Sequence, residues 1–413
     1  MEETYSILKS KLDKYNQSQL LNFYDTLDED KKMKLLNQIE KIDFEQMNEL
    51  YRKTQEKIEF GNDKIEPISY VEKDKMNKTE IEEYDRLGSN IIKSGKLAVV
   101  TMAGGQGTRL GHKGPKGTFD LGLDSHKSIF EILCDTLKEA KDKYNVYVPW
   151  YIMTSEENNK QTTEFFENNN YFGYDKDKIM FFKQGQLSMC NTEGKIILGE
   201  NGLIKEAADG HGGVFESMRK DGVIEDMNKK GVQWVFIGGV DNILAKMVDS
   251  VFIGLAIKKN VLAAGKSVVK AGPKEKVGVF CKRNEKPSVI EYTEITEKMS
   301  EAKNENGDLL YGESHILCNL FNINAIIDVS ERKLPYHSAF KKAKYINEDG
   351  KLIVPDKPNA YKFEAFIFDA FEYLNDMAIM RVKREEEFAP VKNAEGVDSP
   401  ETARKLYKDF YGI

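Results

Sequence analysis

Residues 99–122 read VVTMAGGQGTRLGHKGPKGTFDLG. An apolar run enters a loop holding Gly104, Gly105, Gly107 and Gly111, with Arg109 and Lys116 in the same short span. Glycines let backbone N–H groups converge on phosphate oxygens without a Cβ in the way. Arg109 offers a planar fork for a polyphosphate, and Lys116, next to Pro115, a point charge. Together they fit a nucleoside triphosphate whose pyrophosphate is about to leave. Two other phosphate loops fail on spacing. The pattern G-x-x-x-x-G-K-[ST] is absent from this stretch, and the "GKS" at 265–267 has Asn260 where the first glycine belongs. The dinucleotide pattern G-x-G-x-x-G is missed by one residue, since Gly105, Gly107 and Gly111 give G-x-G-x-x-x-G. A second chemical position is Asp241, where "GVDN" ends the apolar run VQWVFIGGV. A carboxylate at such a strand end suits Mg²⁺, which takes one or two carboxylates together with phosphate oxygens.

The surrounding pattern supplies a frame for these groups. From residue 96 apolar runs alternate with amphipathic ones: LAVVTMA, then SIFEILCDTLKEAKDKY; VPWYIMTS, then EENNKQTTEFFENNN; KIMFFKQ, then GVFESMRKDGVIEDMNKKG; then VQWVFIGGVDN. Strand–helix alternation predicts βαβ units and a mostly parallel sheet, whose ligands sit at the carboxyl ends of strands. Both the glycine loop and GVDN lie at such ends. Residues 262–322 are richer in strand signals (VGVFCKR, PSVIEYTEI, HILCNLFNI) and read as an antiparallel extension over the active face. Residues 1 to about 60 read as helices, with Met33, Leu36, Ile39 and Ile42 recurring on one face and Asp28–Asp30 at a helix start. This segment reads as a structural addition. The aromatic spacing in residues 360–374 predicts a helix, and SPETARKLYKDFYG a last one. The expected division is a helical region at 1–90, a catalytic domain at 91–330 and a C-terminal part at 331–413 that completes the site.

Composition narrows the function classes. The chain has 413 residues, 40% apolar and 31% charged, with a net charge of −7. A net acidic surface argues against general nucleic-acid binding but leaves room for a local basic pocket. The four cysteines (Cys134, Cys190, Cys281, Cys318) are scattered, without CxxC, and read as buried thiols in a reducing compartment. Neither a signal peptide nor a membrane-length apolar stretch is evident. A cytoplasmic protein without membrane partners is expected.

MAGGQGTRLGHKGPKGTFDLGL resembles the signature of the UDP-sugar pyrophosphorylases, closest to their N-acetylglucosamine branch. FKQGQL, ADGHGGVF, GVDN, VIEYTEI, ILCNLFNI, PDKPNAYKFEAFIFDAF and REEEFAPVKNAEG resemble further motifs of that family, in order along nearly the whole chain. The resemblance implies a Rossmann-like nucleotidyltransferase fold of the glycosyltransferase-A type. It implies a uridylyltransferase that makes UDP-sugar and pyrophosphate from UTP and a sugar 1-phosphate, with Mg²⁺ as cofactor. It assigns Arg109, Lys116 and Lys362 to catalysis. Ala103, Gly104, Gly105, Gly107, Thr108, Gln184, Gly212 and Asp241 go to the nucleotide, Gly278, Glu291 and Asn319 to the sugar, and Asp241 to the metal. N-acetylglucosamine 1-phosphate is the expected sugar. Glucose or a broad range of sugars is the alternative, and a non-catalytic UDP-sugar-binding protein a remoter one. His211, where an Asn is common in that branch, and "GESHIL", in place of a Gly-Asn pair, bear on sugar choice. The chain ends after SPETARKLYKDFYG, where eukaryotic members continue into a small β-rich domain, which makes a monomer the default.

Overall fold

The computed structural model of the protein describes residues 2–56 and 63–413. The chain folds as two units, each discontinuous in sequence. The larger unit holds residues 63–184, Gly213–Leu334 and Ile367–Ile413; the smaller holds the residues up to 56, Gly185–Gly212 and Pro335–Phe366. Sequence boundaries near 90 and 330 do not mark these units. Segments 185–212 and 335–366 pair with one another and with the N-terminal helices.

The larger unit is built on a twisted mixed sheet. Across it run Val71–Glu72, Ala378–Arg381, Ala263–Val269, Glu313–Asn322, Trp234–Gly239, Leu97–Met102, Trp150–Thr154 and Ile179–Lys183. Leu97–Met102 lies parallel to Trp234–Gly239 on one side and to Trp150–Thr154 on the other, and the latter is parallel to Ile179–Lys183. Every residue of Leu97–Met102 and of Trp150–Thr154 is buried, as expected of strands covered on both faces. Helices Ile129–Tyr144 and Asn159–Asn168 complete the crossovers, and their apolar residues join the core with Phe130, Leu133, Trp150 and Phe166. The helical stretch after residue 213 is two short helices, Val214–Lys220 and Val223–Lys229, separated by Gly222 at φ 74°.

The expected antiparallel extension is woven into the main sheet. Glu313–Asn322 runs antiparallel between Ala263–Val269 and Trp234–Gly239. The hairpin Val279–Arg283 with Lys286–Ile290 branches from it and also pairs with Ile65–Pro67.

In the smaller unit helices Glu2–Lys14, Glu29–Lys41 and Phe44–Gln55 share one core with Ile196, Leu198, Ile204 and Phe363. Asp28 caps the second helix by accepting from Lys31 N at 2.8 Å, as its position predicts. Leu35, Leu36 and Ile39 are the buried face there, whereas Met33 is 51% exposed; the stripe is rotated from the one expected. The helix expected over 360–374 is not formed. Ala360–Glu364 is a strand between His337–Lys341 and Cys190–Asn191, followed in the larger unit by a 3₁₀ turn at Ile367–Tyr373. Pairing on both edges overrides the helical spacing of the aromatics.

Candidate active site

Leu97–Met102 sits where the strand order reverses, with its successor on one side and Trp234–Gly239 on the other. Open α/β sheets bind ligands at the carboxyl ends of strands at such a switch point. The glycine loop and Asp241 both leave the sheet there.

The loop is anchored at its start. Ala103 N donates to Met153 O at 2.7 Å. The fully buried Asn158 donates from Nδ2 to Ala103 O at 3.0 Å and accepts at Oδ1 from Ser155 N at 2.8 Å. The loop then doubles back: Lys116 N donates to Gly105 O at 3.0 Å and Gly107 N to Gly114 O at 2.9 Å. Thr108–Leu110 is a 3₁₀ turn at its tip, where Thr108 and Arg109 are exposed. Lys116, at the base, is partly buried and places Nζ 4.0 Å from Asp241 Oδ2. Gln184 continues the Ile179–Lys183 strand, its N donating to Thr154 O at 2.8 Å. A Cβ at residue 104 would stand 2.5 Å from Gln184 Oε1, so the carboxamide lies directly over Gly104 and would have to move for any larger residue there.

Asp241 is held between its own strand end and the distant 387–391 segment. Val240 N donates to Met102 O at 3.1 Å and Val391 N to Asp241 O at 2.9 Å. Buried Asn242 donates from Nδ2 to Glu387 O at 2.8 Å and accepts at Oδ1 from Ala389 N at 2.9 Å. Behind this turn lies a buried ion cluster. Lys266, fully buried on Ala263–Val269, contacts Asp249 at 2.8 Å and also Glu387. Lys73 reaches Glu387 at 2.8 Å and Asp249 at 3.5 Å. Burial alone would raise the pKa of Asp249, but the charges of Lys266, Lys246 and Lys73 outweigh it and hold the carboxyl well below the usual range.

Gly278 and Glu291 lie beside one another, and His315 links Gly278 to Asn319. A Cβ on Gly278 would lie 2.9 Å from Glu291 Oε1. His315 N donates to Gly278 O at 2.9 Å, and its Nε2 is 3.1 Å from Asn319 Oδ1. Asn319 is fully buried, with no hydrogen-bond partner for Nδ2, on the strand paired to Trp234–Gly239. Phe280, Phe368 and Phe371 turn toward the His315 ring edge to face, with centroids 5.0–6.0 Å away.

The smaller unit holds the other expected residues. Gly212 N donates to Ala365 O at 2.8 Å, and a Cβ at 212 would meet Ala365 C at 2.7 Å. Lys362, on the Ala360–Glu364 strand, places Nζ 2.7 Å from Glu364 Oε1. His211 and His337 lie 5.3 and 4.8 Å from the Phe366 ring. Among the described residues no group of three or more His, Cys, Asp or Glu side chains could hold a metal ion. Asp241 therefore offers a single carboxylate, a donor set suited to Mg²⁺ only when substrate oxygens complete it.

Asn158, Asn242 and the Lys266 cluster were not anticipated. A charged residue inside the apolar run AAGKSVV was the available signal for Lys266; nothing local marks the two asparagines.

The family model described as UTP–glucose-1-phosphate uridylyltransferase matches residues 41–397. The chain belongs to this family, the UDP-sugar pyrophosphorylases. Among UDP-sugar pyrophosphorylases it is 37% identical to the UDP-N-acetylglucosamine pyrophosphorylase of Saccharomyces cerevisiae over 414 residues, 95% of this chain and 87% of the relative. It is likewise 37% identical to UDP-N-acetylglucosamine diphosphorylase 2 of Arabidopsis thaliana over 426 residues, 97% of this chain and 83% of the relative. The solved uridine diphosphate N-acetylglucosamine pyrophosphorylase of Trypanosoma brucei superposes with a TM-score of 0.84 at 31% identity, covering 98% of this chain and 84% of that one. The nucleotidyltransferase fold expected from the sequence is the fold of these relatives. Among the described residues no helix is long and apolar enough to cross a membrane.

Proposed function

We propose that the protein transfers the uridylyl group of UTP to N-acetylglucosamine 1-phosphate, releasing pyrophosphate. The observation that carries this reading is the approach of Lys116 to Asp241 at the switch point, on the loop that also bears Arg109, with the Gln184 carboxamide seated on Gly104. Uracil offers two carbonyls and one N–H along its edge, and a carboxamide can meet an N–H and a carbonyl at once. Gln184 thus reads the base while backbone N–H groups of the glycine loop receive the phosphates. An oxygen of the sugar phosphate attacks the α-phosphorus in line, and the bond to the leaving pyrophosphate breaks. No side-chain nucleophile is required; the protein positions two anions and neutralises them. Arg109 and Lys116 hold the leaving pyrophosphate and the α-phosphate, and Lys362 adds positive charge as they react. Asp241 is the residue that would hold Mg²⁺, which when bound supplies charge neutralisation on the phosphate oxygens. Gly278, Glu291 and Asn319 bind the sugar. Soluble, cytoplasmic and monomeric operation accompanies this reading, and sedimentation of the purified protein checks the last.

The identities to N-acetylglucosamine enzymes support the acetamido sugar. The glucose alternative is kept by His211 and by the His315 segment, which depart from that branch. Initial rates with UTP, Mg²⁺ and a panel of N-acetylglucosamine, N-acetylgalactosamine, glucose and galactose 1-phosphates decide between them. Highest kcat/KM with the first is expected. A preference for hexoses replaces the sugar assignment; pyrophosphate release without any sugar phosphate, or no release with any of the four, refutes the transferase reading.

A further inference from the structure

His112 stands inside the glycine loop and has no part in the chemistry above. Its backbone N donates to Gly107 O at 3.1 Å. Its side chain lies across Gly107, where a Cβ would come within 2.7 Å of His112 Cβ and 2.9 Å of Cδ2. Its ring meets Phe119 edge to face, with centroids 5.7 Å apart at 86°. Nε2 is 2.8 Å from Thr118 Oγ1, and Thr118 Oγ1 is 2.8 Å from Pro115 O.

The direction of these bonds follows from the groups. A carbonyl oxygen only accepts, so the Thr118 hydroxyl uses its one proton on Pro115 O and accepts from His112 Nε2–H. Neutral His112 therefore carries its proton on Nε2. Protonating Nδ1 leaves this bond intact. The bond joins two segments that are separate along the loop. On one side is the 108–112 turn that carries Arg109; on the other is the 115–118 turn that carries Lys116.

We infer that His112 is a positioning residue for the transfer reaction, a staple that holds Arg109 at a set distance from Lys116. It rests on the reading of residues 103–118 as the phosphate cradle. Two cations that must grip one triphosphate lose turnover when their spacing drifts, because catalysis here is placement. The staple matters for kcat and only weakly for stability, since the loop's backbone bonds at Gly105 and Gly107 remain without it.

The test is a cycle in the full-length enzyme. His112→Phe keeps the ring against Phe119 and removes the donor. Thr118→Val removes the acceptor. His112→Gln returns an N–H donor at similar reach. One neutral hydrogen bond corresponds to about three- to tenfold. His112→Phe is expected to lose about that much in kcat with its melting temperature near wild type. The double variant should be no worse than the weaker single one, and His112→Gln should recover most of the loss. Wild-type kcat in His112→Phe, additive losses in the double variant, or no recovery with Gln overturns the inference. If His112→Phe does not fold, Thr118→Val against His112→Gln carries the same comparison. Arg109→Ala and Lys116→Ala are measured alongside. If they lose turnover while His112→Phe does not, only the staple is refuted; if they too keep it, the cradle reading falls, and the staple with it.

Discussion

Replacing Lys266 by Met is a severe test of how the sheet supports Asp241. The side chain is fully buried, and its Nζ faces Asp249 at 2.8 Å and Glu387. Met matches its length but leaves two buried carboxylates short of a partner. Breaking a buried pair in this way costs about 3–5 kcal/mol. Lys73 still reaches both acids, at 2.8 and 3.5 Å, so the lower end, about 3 kcal/mol, is expected. For a unit of this size 1 kcal/mol moves the melting temperature by about 2 °C, giving a drop of about 6 °C. Differential scanning calorimetry at pH 7 measures it. The pH dependence supplies an independent check. The pKa of Asp249 is depressed in the folded protein, so its contribution is complete above the unfolded value near 3.9 and is lost progressively as pH falls below it. In Lys266→Met that depression is relieved, and protonation removes the penalty of the unpaired acids. The gap between wild type and variant should therefore narrow as the pH falls below about 4. A drop under about 2 °C at pH 7, or a gap that widens in acid, would refute the ion-cluster argument.

Three further outcomes follow from geometry already described. Gly104→Ala would place a methyl 2.5 Å from Gln184 Oε1, displacing the carboxamide; KM for UTP should rise about tenfold or more, and an unchanged KM removes Gln184 from uracil recognition. Asn242→Ala leaves Glu387 O and Ala389 N without their buried partner, so unfolding should cost about 2 kcal/mol less and turnover should fall as Asp241 loosens, measured by urea titration and initial rates. The thiols of Cys134, Cys190, Cys281 and Cys318 are buried and pushed up to about 12 by that burial; a disulfide reagent at pH 8 should leave the native protein unlabelled and label all four on unfolding, and one fast native thiol contradicts this.

The larger unit was legible where burial is uniform and chemistry is local. Leu97–Met102 and Trp234–Gly239 announce themselves as apolar runs, and Gly104 to Lys116 carry their meaning in adjacent residues. The position of Asp241 follows from the rule for strand ends. What sequence could not show depends on distant partners. Ala360–Glu364 is a strand because residues 190–191 and 337–341 flank it, and its own spacing favoured a helix. Met33 faces outward because the core it might have joined is set by Leu198 and Phe363. Asn158 looks like one polar residue among several in EENN, yet it alone points back at Ala103 O. Such roles exist only once the chain has closed on itself.

The smaller unit's core has a consequence for how the protein is made. Leu12, Ile39 and Leu50 bury themselves against Phe363 and against residues 196–204. A ribosome emitting about 5–20 residues per second delivers Phe363 roughly 15–60 s after Leu50. For that interval the amino-terminal helices are outside the exit tunnel with an apolar face and part of their core unsynthesised. These early-translated helices thus finish folding only after much later segments have emerged. Heterologous production should accordingly respond to chaperone supply and to slower, cooler translation, and a fusion that masks those helices until residue 366 has emerged should raise the yield of folded protein.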